Sequence, residues 1–204
     1  MIKNSKKMGL FIIILAVFIT ACCPAINDSR TIVGNGAITS QETFHRIFDN
    51  IVFDGVGNVN IHFSDEVKVE VHTDRNIHQA VILNVNDNTL HIGQERDVNI
   101  NFTRLEYDVY LPELRSLNLR GAGSINIDSG NAASLTINLS GVGNVNTANY
   151  EVDNVYIILS GAGNARISAN NSLNGTLSGT GDIMFRGRPV MNVRVTGLGN
   201  IRPI

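Results

Sequence analysis

From Leu117 onward the chain alternates apolar and polar residues, and a Gly-x-Gly bend interrupts the alternation at near-fixed intervals. Two residues before the first glycine of each copy stand Leu119, Leu139, Leu159, Leu177 and Val195. Two residues after the second stand Ile125, Val145, Ala165, Ile183 and Ile201, and the positions between are mostly Asn, Ser, Thr and Arg. Alternation of period two on both sides of a bend predicts strand, tight turn, strand. Side chains in a strand point alternately to opposite faces, so these apolar columns share one face.

The bends are Gly121-Ala122-Gly123-Ser124, Gly141-Val142-Gly143-Asn144, Gly161-Ala162-Gly163-Asn164, Gly179-Thr180-Gly181-Asp182 and Gly197-Leu198-Gly199-Asn200, with steps of 20, 20, 18 and 18 residues. A fixed period of this size marks a stacked array. One copy cannot bury its own apolar face; stacking in register, about 4.8 Å per layer, gives each apolar column like neighbours above and below. The position after the second glycine then becomes a polar ladder of Ser124, Asn144, Asn164, Asp182 and Asn200. The expected fold is all-β, a right-handed parallel β-helix or solenoid; the alternative is a β-sandwich or barrel with glycine-rich turns.

Two earlier phrases fit the pattern: Gly55-Val56-Gly57-Asn58 and Gly34-Asn35-Gly36. Phe44, Ile47 and Phe48 between them read as core contacts. The phrase is then absent for 66 residues, from Gly55 to Gly121. Val67, Val69 and Val71 predict a half-buried strand there. Val81 to Val85, a turn at Asn86-Asp87-Asn88, and Leu90 to Ile92 predict a hairpin. Residues 62–112 are therefore either degenerate coils or a small strand-rich insert, and no stretch has helical periodicity.

The amino terminus reads differently. Lys3, Lys6 and Lys7 precede an apolar run from Leu10 to Ile19, too short to span a membrane comfortably. The run ends in Ala21-Cys22, which resembles a bacterial lipoprotein signal with Cys22 as the lipidated residue. Residues 1–21 are thus expected to be a signal peptide, 22–32 a tether and 33–204 a single domain, with 113–204 the regular array. The only two cysteines are Cys22 and Cys23, so the domain has no disulfide framework. Without the three leader lysines the chain is more acidic than its overall net charge of −2. That balance argues against nucleic acid and against a polybasic membrane patch. The expected location is the bacterial cell envelope, attached through lipid, with Cys23 in place of an aspartate leaning towards the outer membrane.

The repeat, together with Ile47 to Gly55, Asn88-Thr89-Leu90-His91-Ile92 and Tyr110 to Leu117, resembles the bacterial family called the putative auto-transporter adhesin head GIN domain. The resemblance covers roughly residues 33–204 and implies an exported, all-β, β-helix-like domain of unknown function. The copy carrying Ala165 and Arg166 departs most from the pattern.

Candidate chemistry is sparse. The Gly-x-Gly phrases lack the third glycine and the helix of a dinucleotide site. Calcium-binding β-roll repeats are half as long and richer in Asp. His62, His72 and His91 all turn away from the core and could meet on one face, but lone surface histidines are commoner, so no metal or cofactor is expected. Carboxylates of the array do not gather in one column, and Asp54 and Arg120, 66 residues apart, form no constellation. Arg186, Arg194 and Arg202 crowd the last two copies and are the candidate partner-binding residues; Tyr150 and Tyr156 are candidates for stacking on sugar rings. The reading is a non-enzymatic, adhesin-like binding or structural module for glycan or surface-protein partners, with self-association open. A carbohydrate-active enzyme, lyase or hydrolase, on the same scaffold is the alternative.

Overall fold

The computed structural model of the chain describes residues 30–44 and 46–204. Cys22 and the leader lie outside the described residues. Among the described residues nearly all regular structure is β, the exception being one 3₁₀ turn at His78–Ala80. Two large sheets face each other. The eight-stranded sheet runs, edge to edge, Val190–Val195, Ser172–Leu177, Tyr150–Leu159, Gly130–Leu139, Ser116–Leu119, Asn50–Phe53, Thr89–Gln94 and Val81–Asn86. The nine-stranded sheet runs Ile201–Pro203, Ile183–Arg186, Ala165–Ser168, Val142–Thr147, Ala122–Ile127, Val56–Phe63, Leu105–Leu111, Lys68–Asp74 and Ile38–Phe44. Both sheets end in open edges, so the molecule is not a closed barrel.

Each copy of the repeat contributes one strand to each sheet, with Gly-x-Gly at the crossing. Neighbouring copies pair parallel and in register: Leu119 faces Leu139, which faces Leu159, and Ile125 faces Val145, which faces Ala165. These side chains are buried, including Ala165 in the most divergent copy. Burying a Leu or Ile stabilises by roughly 1.5–3 kcal/mol, so the columns are the main source of cohesion. The glycines serve the close approach of one layer to the next. At Gly143, with φ 145°, a Cβ would fall inside the contact distance of the Gly123 carbonyl oxygen. No L side chain fits there without moving backbone.

Residues between Gly55 and Gly121 do two things. Thr89–Gln94 pairs parallel with Asn50–Phe53, and Leu105–Leu111 pairs parallel with Val56–Phe63, which adds a further layer to both sheets. Lys68–Asp74, Ile38–Phe44 and Val81–Asn86 then pair antiparallel at the edges. The hairpin closes at Asp87 and Asn88, both at positive φ, as a two-residue turn between right-twisted strands requires.

Several expectations are corrected. Gly34 and Gly36 are not a bend between layers: the Gly36 N–H donates to Asp74 Oδ1 at 2.6 Å, and Ile38–Phe44 runs antiparallel. Residues 30–32, read as tether, belong to a strand, Arg30–Val33, that pairs parallel with Val98–Asn101. Phe48 is buried, but Ile47 is 71% exposed.

Candidate functional site

The outer face of the nine-stranded sheet is built from the polar members of its alternating strands. From Asn144 onward the residue after the second glycine forms a ladder in which a side-chain oxygen accepts from the backbone N–H one layer on. Asn144 Oδ1 accepts from Asn164 N at 3.1 Å, Asn164 Oδ1 from Asp182 N at 2.9 Å, and Asp182 Oδ1 from Asn200 N at 3.0 Å. Asn and Asp both supply that acceptor, which explains why either residue serves.

Two residues further along the strands, a second column runs through Asp108, Asn60, Asn126, Asn146, Arg166, Met184 and Arg202. Asn126 Nδ2 donates to Asn60 Oδ1 at 3.5 Å, and Asn60 Nδ2 to Asp108 Oδ1 at 2.9 Å. The strip is therefore acidic at one end and basic at the other.

At the acidic end, antiparallel pairing sets Glu70 opposite Asp108 and His72 opposite Glu106. His72 Nε2 lies 2.8 Å from Asp108 Oδ2 and 3.9 Å from Glu70 Oε2. From the other side, His62 Nε2 lies 3.6 Å from Asp108 Oδ1. His62 stacks on Tyr110, ring centroids 4.8 Å apart, and Lys68 Nζ sits 5.0 Å from the Tyr110 ring centre and 2.8 Å from Glu70 Oε1. Partial burial pushes the Asp108 carboxyl upward, but hydrogen bonds from Asn60, His72 and His62 outweigh it and hold it below the ordinary carboxylate value. The Lys68 ammonium does the same for Glu70.

The candidate arginines are divided. Arg186 and Arg202 lie on the nine-stranded sheet, where Arg186 Nη1 donates to Asn149 Oδ1 at 3.3 Å and Arg202 Nε is 3.5 Å from Asp182 Oδ2. Arg194 lies on the eight-stranded sheet, beside Thr176, and does not join them. Arg166, in the column of Arg202, is the better neighbour. Tyr150 is buried, stacked on Phe63 at 4.8 Å with its hydroxyl donating to the Leu114 carbonyl, so it offers no sugar platform; Tyr156 is exposed. His62 and His72 meet around Asp108, whereas His91 is on the other sheet. Glu70 and Asp108 escaped the sequence reading because only their strands' register makes them neighbours.

A family model described as putative auto-transporter adhesin, head GIN domain, matches residues 47–129 and 121–189. The crystal structure of a putative adhesin from Bacteroides fragilis aligns over 85% of this chain and 100% of its own, with a TM-score of 0.60 at 20% identity. That of a putative lipid binding protein from Parabacteroides distasonis aligns over 86% of this chain and 100% of its own, with a TM-score of 0.54 at 19% identity. At such identity the likeness is one of fold. No curated protein matches the chain.

Proposed function

This chain belongs to the putative auto-transporter adhesin head GIN domain family, and we propose that it is a lipid-anchored cell-envelope module binding glycan or protein partners without catalysis. The single observation behind this reading is the outer face of the nine-stranded sheet, where registered polar columns present Asn, Arg and carboxylate groups at the strand spacing. Repeated amide and guanidinium donors at about 4.8 Å steps suit an extended ligand with its own repeating acceptors. The scaffold in this reading is a right-handed parallel β-helix: the parallel strands of one sheet are joined by crossovers through the other, and such crossovers are right-handed in about 98% of cases. In this reading residues 30–204 form the single domain, 22–29 lead into it, and Cys22 carries the lipid, with the outer membrane as its address. No helix among the described residues is long and apolar enough to cross a membrane.

The test is binding of the protein to a glycan array and to extracellular-matrix proteins. A saturable ligand, weakened by Arg166→Ala or Arg202→Ala and unaffected by Arg194→Ala, supports the strip. Turnover of a polysaccharide, abolished by changing one surface carboxylate, would replace this reading with the enzyme. Membrane fractionation of Cys22→Ser tests the anchor, and unchanged processing and retention would remove it.

A further inference from the structure

We infer that His72, Glu70 and Asp108 form a site for a divalent first-row transition metal ion, Zn²⁺ by ligand type. One ligand atom each from Glu70, His72 and Asp108 lies within 4.8 Å of the others. A tetrahedral Zn²⁺ with bonds near 2.0–2.2 Å holds its donors roughly 3.3–3.5 Å apart, so rotations of partly covered side chains close the shell. His62 Nε2, 3.6 Å from Asp108 Oδ1, lies on the far side of that carboxylate, so a water would take the fourth position.

The surroundings of these groups argue for a site more strongly than the donors alone. A ligating imidazole is normally oriented by a partner on its other nitrogen. His72 Nδ1 lies 2.6 Å from Ser40 Oγ. In the metal-bound form the His72 imidazole would keep its proton on Nδ1 and donate it to that oxygen, which leaves the Nε2 lone pair facing Asp108. The carboxylates are held in the same fashion. Glu70 Oε1 is engaged by Lys68 and Asp108 Oδ1 by Asn60, which leaves Glu70 Oε2 and Asp108 Oδ2 turned towards His72. An imidazole with two carboxylates suits Zn²⁺ or its neighbours, whereas Ca²⁺ and Mg²⁺ prefer shells made of oxygen alone. The three side chains sit on two adjacent, paired strands of one sheet, Leu105–Leu111 and Lys68–Asp74, so only side-chain rotation is needed to close the shell.

The experiment titrates the whole chain, purified in detergent and stripped with chelator, with Co²⁺ under visible absorption and then displaces it with Zn²⁺. The expected result is a saturable d–d band at one equivalent that Zn²⁺ removes. His72→Gln weakens binding by at least the ~10–100-fold that losing an outer-shell partner costs. Ser40→Ala weakens it less, and His91→Gln, on the other sheet, leaves it unchanged. Far-UV circular dichroism checks that each variant is folded; if His72→Gln is not, Glu70→Gln makes the same comparison. Absence of a saturable band, or equal binding by the His91 and cluster variants, overturns the site.

Discussion

The array from Leu117 to Ile204 and the strands between Phe63 and Leu111 extend the same two sheets by different means. In the array every layer is parallel to the last, and glycine at the crossing lets backbones come within contact distance of one another. In the other region the added layer carries large buried side chains such as Leu90 and Tyr107, and antiparallel strands close it off. Strand reversal there places Lys68, Glu70 and His72 outward beside Glu42 and Asp108, a charged face next to the edge strand Ile38–Phe44. Repetition builds length cheaply but demands one residue type at one position; irregular sequence tolerates substitution at the crossing and concentrates its chemistry at the edge.

The sharpest way to break that contrast is to add one carbon in each region. Gly143→Ala forces a Cβ into the Gly123 carbonyl at a φ that L residues avoid, and is expected to cost at least ~3 kcal/mol. Gly93 has open space where a Cβ would stand, so Gly93→Ala leaves stability unchanged or raises it by less than ~1 kcal/mol. Denaturant midpoints measure both. Equal losses would mean that the glycines of the array are not there for interlayer approach.

A second, smaller effect belongs to the irregular region alone. Asp74 is buried and accepts from Thr103 N at 2.8 Å, Gly36 N at 2.6 Å and Thr103 Oγ1 at 3.1 Å. The backbone N–H of Thr103, helped by that of Gly36, holds its carboxyl below the ordinary value. A carboxylate depressed in the folded state contributes stability that is complete above its unfolded pKa, about 3.9, and lost as pH falls towards the folded one. Asp108 and Glu70 are shifted in the same direction. Asp74→Asn is therefore expected to lower Tm at pH 7 and to flatten the fall of Tm below about pH 4 without abolishing it. A variant whose acid limb coincides with that of the parent would remove Asp74 from this role.

The same contrast governs what the sequence discloses. Apolar columns around repeated glycines announce their own register, because one misplaced residue would turn Leu139 or Ile157 outward. The hairpin at Asp87-Asn88 is equally plain, since few residues accept positive φ. Nothing local tells Glu70 that it will face Asp108, or brings Asp54 to within 3.9 Å of Arg120 across 66 residues of intervening chain. Those contacts depend on which strand sits next to which. Arg194 shows the converse error: nearness in sequence to Arg186 and Arg202 conceals that each copy divides its residues between two sheets. Gly34-x-Gly36 imitates the repeat because a tight loop over the Asp74 carboxylate and a bend between layers both require glycine.

The smallest effect probes what the ladder adds to the glycines. Asn164 Oδ1 accepts the Asp182 N–H, while its own N–H and side-chain amide donate to Asn144 Oδ1 at 3.1 and 3.2 Å. Asn164→Ala removes the acceptor and leaves the rung to water, since the position is exposed. The expected loss is about 0.5–1.5 kcal/mol, well below that of Gly143→Ala. Asn164→Asp keeps the oxygen, as Asp182 does one layer on, and should lie closer to the parent than to Asn164→Ala. Were the aspartate variant as unstable as the alanine, the amide donor to Asn144 would be the part that matters, and the column would be an amide-to-amide ladder in which Asp182 is a break.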